Sequence, residues 1–166
     1  MANPKITADR LREVLNYNQE TGVFTWAVSH GWRSKVGSVA GGPHSRGYKD
    51  IRVDMKRYLQ HRLAWLYIHG RWPANEIDHI NGNRADNRLC NLREATRSQN
   101  SRNSRKHDHN THGFKGVGIH DPGYWTANIR VNGKSKYLGR FKDPKIAHGA
   151  YARAAKKYFG EFARTE

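Results

Sequence analysis

Glu76-Ile77-Asp78-His79-Ile80, then a polar loop, then Asn91-Leu92-Arg93-Glu94-Ala95-Thr96 and Gln99-Asn100, is the stretch that decides how this chain is read. The first segment reads as a short strand, and Asn81-Gly82-Asn83 is a turn signal directly after it. Asn91 to Ala95 is again short and extended. Thr96 followed three residues later by Gln99 is a capping-box pattern, so a helix is expected to start there. The order is strand, loop, strand, helix. Neighbouring residues of a strand point to opposite sides of the pleat, so Asp78 and His79 converge only at a bend or strand end. Ile80 and the Asn81-Gly82 turn supply one. A histidine whose unperturbed pKa is about 6.5 is mostly neutral at pH 7, and His79 can therefore accept a proton from water.

The Asp78-His79 pair, the Asn91-Leu92-Arg93 step and the later Asn100 resemble, in order and spacing, the HNH (His-Me finger, ββα-metal) nucleases, particularly the homing endonucleases of phage introns. The resemblance runs from about Lys56 to Asn103. It implies that His79 is the general base and that Asp78 and Asn100 hold one divalent cation, Mg²⁺ with Mn²⁺ as the alternative. Both side chains offer hard oxygen donors of the kind these ions take. Asn100 stands where many members of the family carry His, although several phage homing enzymes also have Asn. Asn91 is expected to orient His79 or to prop the loop. His61 also matches the family pattern, with a structural role or a phosphate contact open to it. Asn81, Asn83, Asp86 and Asn87 read as turn residues.

Outward from this stretch, composition sets the partner. Thirty Lys and Arg stand against fourteen Asp and Glu, a formal charge of +16. Such an excess suits a polyanion, and duplex DNA is the expected partner. No apolar run approaches the roughly 20 residues that span a bilayer, so a membrane is not expected. Met1 to Arg10 is polar and shows no secretory signal, and the single cysteine, Cys90, excludes an internal disulfide. The expected location is the cytoplasm of a bacterial host, with a phage or prophage gene. Before the central stretch, a helix is expected near Thr7–Leu15 with Thr7 as N-cap, a strand over Gly22–Trp26 and a loop from Ser29 to Arg46. A hairpin should span Gly47–Leu59, with a helix from His61 to His69 that ends at Gly70.

Ser101 to His112 contains no apolar residue, and residues 107–112 read as an exposed linker. From Gly113 onward three short strands and one helix are expected. Asp143-Pro144 begins that helix, and Ile146, Ala147, Ala150, Tyr151, Ala154, Ala155 and Tyr158 recur at helical spacing. The fold class is thus α+β. A ββα-metal HNH core with an N-terminal sheet-and-helix extension occupies residues 1–106, and a small three-stranded sheet packed on one helix occupies 113–166.

Gly116-Val117, Trp125 to Arg130, Tyr137 to Phe141 and Ala147 to Tyr151 look like the plant ethylene-response-factor (Apetala-type) DNA-binding domain. Pleat alternation puts Trp125, Ala127, Ile129 and Val131 on one face and Thr126, Asn128, Arg130 and Asn132 on the other. The resemblance adds Tyr137 to the polar face, where Asn128, Arg130 and Tyr137 could read base edges. Lys115, His120, Lys134 and Lys136 are expected at phosphates or nearby bases. Plant domains usually carry arginine at the positions of Gly118 and Lys115, so their target sequence does not transfer. The function expected is metal-dependent hydrolysis of duplex DNA, homing-type, with site preference from the C-terminal module and no small-molecule cofactor. The chain would act as a monomer or a DNA-induced dimer. The alternative is a DNA-binding regulator whose HNH unit is an idle scaffold.

Overall fold

The computed structural model describes residues 5–29, 31, 34–104 and 113–165; the side chain of His120 is outside the described set, as is the expected linker at 107–112. The chain divides into two compact units, Met1–Arg97 and Ser98–Glu166.

In the first unit, Thr7 caps helix α1 (Ala8–Val14) by accepting a hydrogen bond from the Arg10 amide at 3.2 Å. Leu11 and Val14 form its buried face, and Leu15, extended at φ −134°, ψ 144°, turns the chain directly into strand β1 (Leu15–Asn18). This strand, which the apolar spacing does not announce, pairs antiparallel with β2 (Val23–Trp26). Within the expected loop a short β3 (Gly42–Pro43) adds to β4 (Lys49–Val53), which pairs with β5 (Lys56–Leu59). Asp54 and Met55 both adopt positive φ, 46° and 66°, the conformation that a tight two-residue hairpin turn demands. Helix α2 (Gln60–His69) follows at once and ends at Gly70 in the left-handed conformation. Leu11, Leu15, Phe24, Ile51, Leu63 and Leu66 pack the core between these elements.

Strand β6 (Glu76–His79) then pairs antiparallel with β7 (Leu92–Ala95), Asp78 opposite Arg93 and His79 opposite Leu92. Helix α3 (Arg97–Arg102) follows β7 in the chain. The expected order of strand, loop, strand and helix is therefore present. The division between the two units falls at Arg97/Ser98, near the start of that helix.

The second unit is a three-stranded antiparallel sheet, β8 (Val117–Asp121), β9 (Tyr124–Val131) and β10 (Lys134–Phe141), with β9 in the centre. Helix α4 (Pro144–Phe159) packs on it, capped by Asp143 Oδ1, which accepts from the Lys145 amide at 2.6 Å. Ala127 and Ile129 face the helix and meet Ala147, Tyr151 and Ala155. Two residues expected on the helix's apolar face turn out to be exposed: Ile146 is 58% and Tyr158 38% accessible. The buried stripe is Ala147, Tyr151 and Ala155, one residue every four, and Ile146 falls beside it. Replacing Ala147 with Leu should therefore overpack the helix–sheet contact and cost about 1–3 kcal/mol, whereas Ile146→Ala should stay within about 0.5 kcal/mol of the parent. Urea unfolding of the two variants checks this; similar losses in both would contradict the packing.

Candidate active site

The register of β6 and β7 sets the first contact. Asp78 and Arg93 are directly opposed, and Arg93 Nε and Nη2 donate to Asp78 Oδ2 at 2.9 and 2.8 Å. The pair is deeply placed, with the Asp78 side chain 4% and the Arg93 side chain 12% accessible. His79, on the next residue and the other side of the pleat, is also buried. Its neighbours are polar and aromatic. Asn87 Oδ1 lies 3.3 Å from His79 Nε2, the His61 ring stands edge-on at 5.0 Å, and Tyr48 lies beside both histidines at 5.2 and 6.1 Å between ring centroids. The guanidinium of exposed Arg84 sits 5.0 Å over the Tyr48 ring. The cluster thus runs from an exposed cation to a buried imidazole.

Burial pushes both histidines towards the neutral form. The pKa of His79 is lowered, chiefly by desolvation, against a partial opposing effect of its bond to Asn87. That of His61 falls further, to about 3, through burial first and then the nearby His79 and Arg62. Its Nδ1 is buried with no hydrogen-bond partner among the described residues. A neutral imidazole is the form that can accept a proton.

The connection between the strands is built by its own side chains. Asn81 Oδ1 accepts from the Asn83 amide, Asn83 Oδ1 from the Ala85 amide and Asp86 Oδ1 from the Arg88 amide, three successive side-chain turns. The Arg88 guanidinium holds the Asp86 carboxyl down at about 2. Asn91 closes the loop: its Oδ1 accepts from the Asn81 amide at 2.9 Å and its Nδ2 donates to the Asp86 carbonyl at 2.8 Å. Of the two roles open to Asn91, these bonds are those of a loop prop. Asn87, only 2% accessible, is bonded to His79, although its sequence context is that of a turn residue. The pairing of Arg93, a member of the Asn91-Leu92-Arg93 step, with Asp78 and the place of Gln60 come from strand register and packing.

Asn100 lies in α3, in the second unit. In that unit Asn128 and Arg130 are exposed on the face away from α4, and Tyr137, 64% accessible, is paired with Asn128. Arg140, opposite Thr126, joins the same face, ion-paired to Asp121 at 3.1 Å and 3.8 Å over the Tyr124 ring. Three of the expected DNA contacts, Lys115, Lys134 and Lys136, are engaged within the unit or placed off the face of Tyr137. Lys115 Nζ donates to the carbonyls of Arg102, Ser104 and Arg164 at 3.0, 2.6 and 3.0 Å. Its three donors are used inside the unit, and burial brings it down to about 8. Lys134 and Lys136 pair with Val131 and Ile129, residues of the helix-facing side, and Lys136 reaches the Tyr158 hydroxyl at 3.4 Å. Alternation therefore separates both from Tyr137. The side chain of His120 lies outside the described residues.

Among the described residues no group of three or more His, Cys, Asp and Glu could hold a metal ion, and no helix is long and apolar enough to cross a membrane. Asp78 offers one hard carboxylate of the kind a divalent cation takes, its Oδ2 also accepting from Arg93. A single carboxylate is compatible with a cation that keeps several waters and is completed by substrate phosphate.

Residues 58–102, which contain β6, the Asn-rich loop, β7 and α3, match the family of HNH endonucleases, so the chain carries an HNH endonuclease domain. It is 30% identical over 121 residues to Protein 3.8 of Escherichia phage T7, across 72% of this chain and 97% of that protein, and it belongs to the same family. It is also 30% identical over 115 residues to the uncharacterized HNH endonuclease L560 of Acanthamoeba polyphaga mimivirus, covering 68% of this chain and 59% of that relative's length. No solved structure matches it.

The lowered His61 value carries a stability consequence. With an unfolded value near 6.5 and a folded value of about 3, the unfolded chain binds more protons between those limits, so stability present above pH 6.5 is lost as pH falls towards 3. From pH 7.5 to 5 this group should remove roughly 2 kcal/mol. His61→Leu should lose less than the parent over the same step in urea unfolding; an equal loss would contradict a buried neutral His61.

Proposed function

We propose that the chain is a metal-dependent endonuclease that hydrolyses phosphodiester bonds in duplex DNA. The observation that carries the reading is a neutral, hydrogen-bonded His79 beside an arginine-clamped Asp78, inside the segment that matches HNH endonucleases. His79 takes a proton from a water whose oxygen attacks phosphorus. The P–O3′ bond breaks and its electron pair leaves with O3′. Asp78 and Asn100 would hold the divalent cation, Mg²⁺ or Mn²⁺, which when bound stabilises negative charge on the phosphate and leaving oxygens. Asn100 enters this proposal by its place in the family segment and the sequence resemblance. Asn91 keeps the loop closed. Arg84 is suited to a backbone phosphate, because it is exposed and lies over Tyr48, which borders His79.

DNA binding falls in this proposal to the outer face of the C-terminal sheet, residues Asn128, Arg130, Tyr137 and Arg140. The face is supported by its exposed cations and aromatics and by the resemblance to ethylene-response-factor domains. A homing-type role follows the same resemblance at the HNH segment. One active site per chain makes a nick the first product.

Supercoiled plasmid with Mg²⁺ should be converted to nicked circles, and a chelator should stop the reaction. His79→Ala should lose cleavage by roughly 10²–10⁴-fold while binding DNA as the parent does. A parent that binds DNA but never nicks it would leave the idle-scaffold regulator as the reading. Arg130→Ala should relax site choice by about 1–3 kcal/mol at the base it reads, measured by competition between duplexes. Unchanged preference would remove the sheet as reader.

A further inference from the structure

Asn87 does not act alone on His79. Its Nδ2 donates to Gln60 Oε1 at 3.2 Å, and Gln60 Nε2 donates to the Ala40 carbonyl at 3.1 Å. His79, Asn87, Gln60 and Ala40 are all less than one-twentieth accessible. The direction of this chain is set at its far end, because a backbone carbonyl can only accept. Gln60 must therefore turn its NH₂ to Ala40 and its oxygen to Asn87. Asn87 must then turn its NH₂ to Gln60 and its oxygen to His79, and an amide oxygen carries no proton to give. Reversing either amide would set oxygen against oxygen in a buried site.

We propose that the residues N-terminal to the family segment serve to hold His79 in one tautomer, proton on Nε2 and lone pair on Nδ1, through this one-way chain of buried amides. Gln60 and Asn87 are positioning residues. The hydrogen-bond argument is independent of the nuclease reading; its consequence, that Nδ1 is the nitrogen that takes water's proton, rests on that reading.

The N-terminal region is shaped around both links. Ala40 is fixed by its own amide, which donates to the Phe24 carbonyl at 2.8 Å. Gly41 follows at φ +84°, where a side chain is strained, and a Cβ there would stand 2.7 Å from Gln60 Nε2 and collide with the Asp50 carbonyl. At the other link the Tyr17 hydroxyl donates to the Asn87 carbonyl at 2.7 Å, and the Leu89 amide donates to the Gln19 carbonyl at 3.0 Å. Gly22 lies so close to the Asn87–Arg88 backbone that a Cβ would overlap it. Tyr17, Gly22, Ala40 and Gly41 all precede the matched residues 58–102.

The test is long-range ¹H–¹⁵N NMR of the histidine rings in the full chain at pH 7.5, without DNA or metal, with His79 assigned by its loss in His79→Ala. The parent should show the His79 proton on Nε2; a proton on Nδ1 overturns the proposal. Gln60→Glu, whose buried carboxyl is protonated to donate to the Ala40 carbonyl, keeps an oxygen for Asn87 Nδ2 and should keep the tautomer. Gln60→Leu frees the Asn87 amide to turn and should give a mixture of tautomers. Cleavage at saturating DNA by Gln60→Leu should fall by roughly tenfold or more, with Kd within about twofold. A folded Gln60→Leu that retains the parent's single tautomer overturns the relay. If Gln60→Leu does not fold, the parent and Gln60→Glu spectra decide. Failure to cut DNA would sink the nuclease reading and leave the tautomer result standing, so the two failures are separable.

Discussion

Asp78 sits on a strand of four residues with almost no contact with water, and a carboxylate so desolvated needs a cation beside it. The register of β6 against β7 supplies Arg93 directly opposite. Removing one member of such a buried pair typically costs about 3–5 kcal/mol, because the other is left uncompensated. The pair therefore pins the register, and register governs the rest. A one-residue slip would send Arg93 to the other face of the hairpin. It would also break the bond from the Ile80 amide to the Asn91 carbonyl with which the Asn-rich loop closes. The loop carries Asn87 to His79 only while that closure holds.

The same logic explains why so much of the chain precedes the family segment. A short two-stranded hairpin is marginal by itself. Here β6 and β7 lend Ile77 and Leu92 to a core whose other members, among them Leu11, Phe24, Ile51 and Leu63, come from elsewhere. The N-terminal elements supply apolar mass, and their polar groups end on the Asn87 backbone and the Gln60 amide. Support and orientation come from one set of contacts, so the imidazole is aligned by the packing that keeps the hairpin folded.

In the second unit, two periodicities sort the side chains. Along β9 the pleat sends Ala127 and Ile129 to α4 and Asn128 and Arg130 to the solvent. Small residues at Ala147 and Ala155 let the helix approach the sheet. A period of two is unforgiving: Lys136 and Tyr137 are neighbours in sequence and point to opposite sides of the sheet. Lys115 shows a different limit of charge counting. Three backbone carbonyls converge on its ammonium, which makes a formally free cation a structural tie.

Local pattern alone carried the strands of the hairpin, the Thr7 and Asp143 caps, the stop at Gly70 and the alternation along β9, whereas Asp78 and His79 stand out as candidates for chemistry only through the resemblance of the whole segment. The local features are legible because each depends on residues within a turn or a pleat of one another. Strand β1, the exposure of Ile146, the clamp of Arg93 and the Gln60–Asn87–His79 chain were decided by tertiary structure. Asn87 reads as one more turn residue in a loop full of them, and Gln60 as an ordinary helix start. Their meaning lies in partners 27 and 20 residues away, and a hydrogen bond across such a distance leaves no periodicity in sequence. Chain topology and burial select which of several similar amides faces the imidazole, since a buried amide must find its partners within the protein.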